Sequence, residues 1–524
     1  MLLALSGVAL FGVFVALGPV WLILFTAFLL GSQAVRAGVR PPFVSALAGH
    51  VESLRAWSLV VVAGLFGWFL LDRVPISINQ GDTYRLADSS RALVACADSG
   101  VWTKCPGADR FGLQQHIPGM VLAWMGLNDR SIVTVLALVN LIAFVSVLLL
   151  LVRTRTISPA GRALALLAFL LGPPLVYSIQ TFGDSLNLAL NCALVLALLR
   201  RSKPWVIAVL AAYACTAKET AVLGVFPIAA AVLLMLGTRA KPWKEHEGEE
   251  PLLSRRWWSA DRPAAIALVV GCAGGVVMDG LFNVWRYGRL GNTTYDASWS
   301  MTPGVWLKVK AAAAIWVSPG GGAFPYWFLG AALAVGLPIL ALRSGDRRRI
   351  AVAALVLLGL VAQTALLSAW WTPFGWYCWG PRLFLSTLGM AVFAAIGAFE
   401  LELRAASSWL RRRFVGVAAP LLALAIVSAA ANLGFLVDPA STLSWFYSPH
   451  TAACPSFPNI TTDPKAYYQC VDGLMTWRPR GSLWSTGVSH INSIDGQLLI
   501  VSALLAMLAL IDPRRFANPQ SARS

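Results

Sequence analysis

Of 524 residues, 58% are hydrophobic and only 12% charged, with a mean hydropathy of +0.69. Soluble domains carry about a quarter charged residues, so this chain lacks the polar groups to cover a water-exposed surface. The net charge of +17 does not point to nucleic acid, because Lys and Arg gather in short loops between apolar runs, as membrane topology requires.

Apolar runs fall at 2–31, 57–71, 131–152, 163–178, 186–199, 206–216, 221–237, 264–285, 324–342, 350–370, 383–403, 415–437 and 498–511. They predict an all-α polytopic membrane protein with about thirteen spanning helices, with twelve or fourteen as the neighbouring readings. The first run has no polar n-region and no small-residue cleavage site, and is read as a retained span. Its Gly18-Pro19 predicts a kink or a re-entrant hairpin. The run at 206–216 is short, so it must tilt or extend beyond its apolar part.

Short basic loops hold Arg153/Arg155/Arg162, Arg200/Arg201/Lys203, Arg343/Arg347/Arg348/Arg349 and Arg411/Arg412/Arg413. The positive-inside rule puts these and the tail at 513–524 in the cytoplasm, with the N-terminus outside. The outer face then receives a first large loop at 72–130 and a last one at 438–495. Smaller outer segments follow at 179–186, 217–220, 286–323 and 371–382, and 239–262 reads as a solvated cytoplasmic linker. The chain divides into a transmembrane module at 1–436, an outer loop at 437–497, and a last span with its tail at 498–524. Cys96 and Cys105 share the first outer loop and Cys454 and Cys470 the last, which predicts two disulfides in an oxidising compartment. Cys192, Cys215 and Cys272 lie in apolar runs and read as buried small hydrophobes.

An ionisable group at the edge of a span is costly unless it is paired or faces a wet cavity. The outer side nevertheless collects Asp82, Arg85, Asp88, His116, Asp184, Lys218, Glu219, Arg289 and Arg382. That convergence predicts a site at headgroup depth. Asp82 reads either as a cap ahead of the helix starting Thr83-Tyr84 or as a general base taking a hydroxyl proton. Asp88 reads as a surface partner of Arg85 or Arg91. Lys218 and Glu219 either neutralise each other at a tight turn, or leave Lys218 as a point charge for a phosphate. Arg382 stands where a helix begins, and reads as a snorkelling residue of an aromatic belt or as part of an anion site.

Several segments, in order, resemble GT-C glycosyltransferases that use a polyprenyl-phosphate-linked sugar, such as protein O-mannosyltransferases and aminoarabinose transferases. Gly81-Asp82-Thr83-Tyr84 looks like the family's catalytic loop and Gln115-His116-Ile117-Pro118-Gly119 like the juxtamembrane segment after it. Gly183-Asp184-Ser185 is similar to an acidic motif opening a span, and Thr216-Ala217-Lys218-Glu219-Thr220 to a lysine turn. Asn283-Val284-Trp285-Arg286-Tyr287-Gly288-Arg289, Ser318-Pro319-Gly320 and Gly380-Pro381-Arg382 resemble further motifs of bacterial members. The resemblance covers roughly 55–400 and lacks the paired Asp-Glu of the protein O-mannosyltransferases.

The resemblance implies Asp82 as general base, and Lys218 and Arg382 as ligands of the donor phosphate. His116, Asp184, Arg289, Glu219 and Tyr84 would line the substrate cavity. The implied donor is a polyprenyl-phosphate sugar, transferred with inversion to a glycan, lipid or protein of the cell envelope. The implied location is the plasma membrane, with the site facing outward. No DxD motif stands where a nucleotide-sugar enzyme holds its metal. Some relatives use a divalent metal and others use no cofactor, and the resemblance leaves both open. Two other classes compete: a transporter of a lipid-linked sugar, and a non-catalytic assembly protein. The absence of related halves weighs against the first, and Asp82, Lys218 and Arg382 weigh against the second.

Overall fold

The computed structural model describes residues 80–437 except 110, 182, 218–220, 239–254, 292–301, 303, 319–320, 371–379 and 413–418. The predicted spans at 2–31, 57–71 and 498–511, the loop at 438–495 with Cys454 and Cys470, and the Lys218-Glu219 turn lie outside the described residues. What is described is helical, with no strand among the described residues.

Helix α1 (Gln80–Asp98) is amphipathic. It buries Leu86, Ala87, Ser89, Ser90 and Leu93 at helical spacing and exposes Tyr84, Asp88 and Arg91. Its Leu86 and Ala87 pack with Ile132 and Val133 of α3 (Asp129–Arg153). Between them lies α2 (Leu113–Trp124), which carries Pro118 in its interior. Asn128 caps α3 by accepting from the Ser131 amide at 2.9 Å, and the polar entry ends in a continuous apolar stretch.

The run predicted at 163–178 is two helices, α4 (Pro159–Leu170) and α5 (Pro173–Ser178). The break is at Gly172-Pro173-Pro174, since proline cannot donate to the ladder and clashes with the preceding turn. Next come α6 (Asp184–Leu199), α7 (Pro204–Cys215) and α8 (Ala221–Thr238). Helix α9 (Arg255–Tyr287) is 33 residues long, so the end of the predicted linker at 239–262 is already helical. A helix of that length spans about 50 Å, more than a hydrocarbon core of about 30 Å. Its last turns pack against the loop that follows α1, where Trp285 donates to the Val101 carbonyl at 2.9 Å.

Sequence reading did not anticipate α10 (Val305–Val317), which falls inside the predicted outer segment 286–323. The single run predicted at 324–342 is interrupted: α11 (Ala323–Tyr326), α12 (Phe328–Ala331), a π-turn at Ala332–Gly336, and α13 (Leu337–Leu342). Then follow α14 (Arg347–Ser368), a 3-10 turn at Arg382–Phe384, and α15 (Leu385–Ala398). The run predicted at 383–403 turns by 88° into α16 (Glu400–Arg412), and α17 (Ala419–Val437) closes the described chain.

Helix α15 is the axis of the core, with nearly every side chain buried. Phe393 meets Phe169 at 5.0 Å between ring centroids, and Trp327 donates to the Ala168 carbonyl at 2.7 Å. Buried Asn432 of α17 closes the helix breaks. It donates to the Tyr326 carbonyl at 2.7 Å and to the Leu171 carbonyl at 3.2 Å. Backbone groups freed inside an apolar medium must be met by protein, which accounts for an asparagine in an otherwise apolar helix.

Three described helices are long and apolar enough to cross a membrane, Asp129–Arg153, Asp261–Tyr287 and Arg347–Ser368, with a fourth if the bent α15–α16 pair counts as one span. Several shorter apolar helices accompany them. The basic loops share one end of the bundle. Leu199 packs on Gly397, Gly161 on Ile396, and Arg201 donates to the Leu236 carbonyl at 3.2 Å. Arg349 pairs with Glu402 at 2.8 Å at the same end.

Candidate functional site

The opposite end of the bundle gathers segments far apart in sequence. Arg382 Nε donates to Asp184 Oδ2 at 2.7 Å, and both side chains are largely buried. Asp184 occupies the first turn of α6, where the positive end of the helix dipole favours a carboxylate. One turn later Asn187 donates to Ser386 Oγ at 3.0 Å. The Gly-Pro-Arg turn that carries Arg382 needs its glycine. Gly380 has φ +61°, and a Cβ there would stand 3.1 Å from Tyr326.

Helix α2 joins the same assembly through its N-terminus. The Gln114 amide donates to the Thr216 carbonyl at 3.3 Å, and Tyr213 Oη donates to the Gln114 carbonyl at 3.2 Å. Gly112 approaches so closely that a Cβ would stand 2.2 Å from the Ala217 carbonyl oxygen. On its other flank, the Gln115 side chain lies directly over Gly183. The start of α2 therefore bridges the residues preceding Lys218 to the residue preceding Asp184. Thr181 Oγ1 donates to the Val133 carbonyl at 3.3 Å, linking this end to the α3 turn on which Leu86 and Ala87 of α1 rest.

Asp82 stands in the first turn of α1, because the helix begins at Gln80. It is therefore not the residue ahead of the helix that a cap would require. Tyr84 is 46% exposed. Of the two partners expected for Asp88, Arg85 and Arg91, the second is engaged elsewhere. Arg91 reaches Asp129 at 3.0 Å and donates to the Leu127 carbonyl at 2.6 Å, which ties α1 to the start of α3.

His116 is fully buried rather than lining an open cavity. Its ring lies between Ser90 Oγ (3.3 Å from Nδ1) and Ser89 Oγ (3.5 Å from Nε2), against Phe282 at 5.4 Å. Burial, reinforced by the nearby Arg286 guanidinium, lowers its pKa to about 3. The imidazole is thus neutral and structural in this arrangement.

Arg286 is the residue that sequence reading missed. From the last turn of α9 it donates to the Asp109 carbonyl at 2.9 Å, to the Phe111 carbonyl and to Asn283 Oδ1. Its guanidinium also lies 4.2 Å from the Phe282 ring centroid, a cation–π contact. Trp285 donates to the Val101 carbonyl at 2.9 Å, and the Cys105 amide donates to the Trp285 carbonyl at 3.1 Å. Cys96 and Cys105 form the predicted disulfide. The loop between α1 and α2 is thus clamped onto α9. Arg289, singled out in sequence, is exposed just past the helix.

Near these contacts, both polar atoms of the Gln114 carboxamide, Ser185 Oγ and Asn187 Oδ1 are buried without a hydrogen-bond partner. Among the described residues no three His, Cys, Asp or Glu side chains gather as a metal ligand set. No family model, no curated protein and no solved structure matches the chain.

Proposed function

We propose that the chain is an integral membrane glycosyltransferase that moves a sugar from a polyprenyl-phosphate donor to an extracytoplasmic acceptor. The carrying observation is the meeting of the Asp184–Arg382 pair with the start of α2 and the Thr216-Ala217 turn, at the end opposite the basic loops. In this reading the bundle comprises about thirteen spans, with its arginine-rich end in the cytoplasm and the polar end at outer headgroup depth.

A lipid-phosphate donor needs an apolar surface for its chain and cations for its phosphate. Arg382, pre-positioned by Asp184, supplies a planar fork suited to phosphate oxygens, and Lys218 supplies a second charge. Asp82 takes the acceptor hydroxyl proton as that oxygen bonds to the sugar carbon. The bond from that carbon to the phosphate oxygen breaks on the opposite side, so polyprenyl phosphate leaves and the centre inverts. His116 holds α2 in place and takes no proton.

The test is purified protein incubated with polyprenyl-phosphate sugars and candidate envelope acceptors, beside the Asp82→Ala variant. Transfer by the wild type and its loss in the variant are the expected results. A wild type that transfers nothing but moves a lipid-linked sugar across liposomes would make it a transporter.

A further inference from the structure

Helices α7 and α9 run side by side and in the same direction. A Cβ on Gly271 would stand 2.4 Å from the Ala208 carbonyl oxygen, and one on Gly275 would stand 2.3 Å from that of Ala212. The register advances by four residues on both helices, and glycine is what lets the backbones come this close. Toward the basic end of the bundle the same pair opens into a groove of about 460 Å³, whose walls include Pro204, Trp205, Ala208, Ile266 and Val270. These walls are apolar and face outward, with Trp205 66% and Val270 60% exposed.

Two cations stand at its mouth. Arg262 lines the groove, and Lys203 directly precedes Pro204. Both are exposed, and neither side chain makes an ion pair or hydrogen bond among the described residues. The acidic neighbour in sequence, Asp261, is buried. Helix α7 also begins here, with Lys203 as its N-cap and no side chain capping the first turn, so the positive end of its dipole favours an anion at the same place. The apolar stretch of α9 that is long enough to cross a membrane starts at Asp261. Arg262 therefore sits where headgroups give way to acyl chains, the depth at which indole rings such as that of Trp205 settle.

We propose that this groove binds one anionic phospholipid, with an acyl chain along Trp205, Ala208, Ile266 and Val270 and the headgroup phosphate held by Lys203 and Arg262. A zwitterionic lipid would bring a cation of its own to the same mouth, so charge selects the anionic one. The occupant is not the sugar donor, because the groove lies at the end of the bundle opposite the Asp184–Arg382 pair. The binding rests on the membrane setting proposed above and not on the transferase reading, and in that orientation the lipid belongs to the cytoplasmic leaflet.

The full chain, delipidated in detergent, is titrated with phosphatidylglycerol and with phosphatidylcholine, and bound lipid is followed by native mass spectrometry. One phosphatidylglycerol should bind ahead of any phosphatidylcholine. Each basic residue near an anionic headgroup contributes about fivefold, so Lys203→Gln with Arg262→Gln should weaken that binding on the order of twentyfold. Arg153→Gln with Arg155→Gln removes the same charge from another loop at the basic end and should leave it unchanged. Phosphatidylglycerol carrying a diazirine on its acyl chain should label the wild type within 204–209 and 263–270, a readout that stands even if the groove variant folds poorly. Equal affinity for the two lipids, an equal loss in both double variants, or labels placed elsewhere would overturn the proposal. So would a groove closed to lipid, the result expected if another part of this chain or a second copy fills it. Sugar transfer is not read in this experiment, so its outcome is independent of the catalytic assignment.

Discussion

Arg382 and Asp184 lie 198 residues apart in sequence and 2.7 Å apart in space. The pair joins the start of α15, the most buried helix, to the start of α6. It is mostly enclosed, so each charge depends on the other.

Removing one member of such a pair strands the other. Arg382→Met should lower stability by about 3 kcal/mol, the cost typical of breaking a buried pair, and should abolish sugar transfer. Asp184→Asn should destabilise less, because its amide still accepts from the guanidinium. It should also weaken binding of the lipid phosphate, because the guanidinium is held less firmly in place. Thermal unfolding in detergent and donor-binding titrations check both. Tighter donor binding in Asp184→Asn would show that Asp184 competes for Arg382 rather than positioning it.

His116 is neutral in the folded chain, with its pKa lowered to about 3 from 6.5. Unfolding restores the ordinary value, so below pH 6.5 the unfolded chain takes up a proton that the folded chain refuses. Stability from this group is complete above pH 6.5 and falls as the pH drops towards 3. The expected loss is about 2 kcal/mol by pH 5, at about 1.4 kcal/mol per unit. His116→Phe should flatten that slope in denaturation profiles, whatever it costs at neutral pH.

The Cys96–Cys105 bridge closes a short loop that also docks on Trp285. Cys96→Ser with Cys105→Ser should lower stability by about 2–3 kcal/mol. Maleimide should label these two positions in the wild type only after reduction. Labelling without reductant would mean the bridge is absent in the mature protein.

Asn432 meets carbonyls at two helix breaks. Asn432→Leu keeps the volume and strands Tyr326 and Leu171, so it should cost about 1–3 kcal/mol. An equal effect from Ser428→Ala is not expected, since among the described residues Ser428 Oγ meets the Phe328 amide alone, at 3.2 Å.

Much of the helix layout was legible in the sequence. An apolar run against a polar loop is a local property, and α3, α6, α7, α8 and α14 start and stop within a few residues of their predicted bounds. Helix breaks were less legible, because Gly172-Pro173-Pro174 reads clearly only once a partner such as Asn432 is seen to meet the freed carbonyls. The bend after Ala398 was hidden for a similar reason. Leu383–Leu403 is apolar enough throughout, and only the packing of Phe399 decides where the axis turns.

The sequence by itself determined the helical, membrane-suited character of the chain, the Cys96–Cys105 bridge and the gathering of charge at loop ends. These follow from composition and spacing. Only the tertiary structure decided which charges meet. Arg382 chose Asp184, Arg91 chose Asp129 over Asp88, and Arg286 rather than Arg289 turned inward to hold the loop between α1 and α2. Partner choice depends on distance and burial between segments up to two hundred residues apart, and no local pattern encodes that. His116 makes the same point. In sequence it is a titratable residue beside a candidate site, and in the fold its burial leaves it neutral.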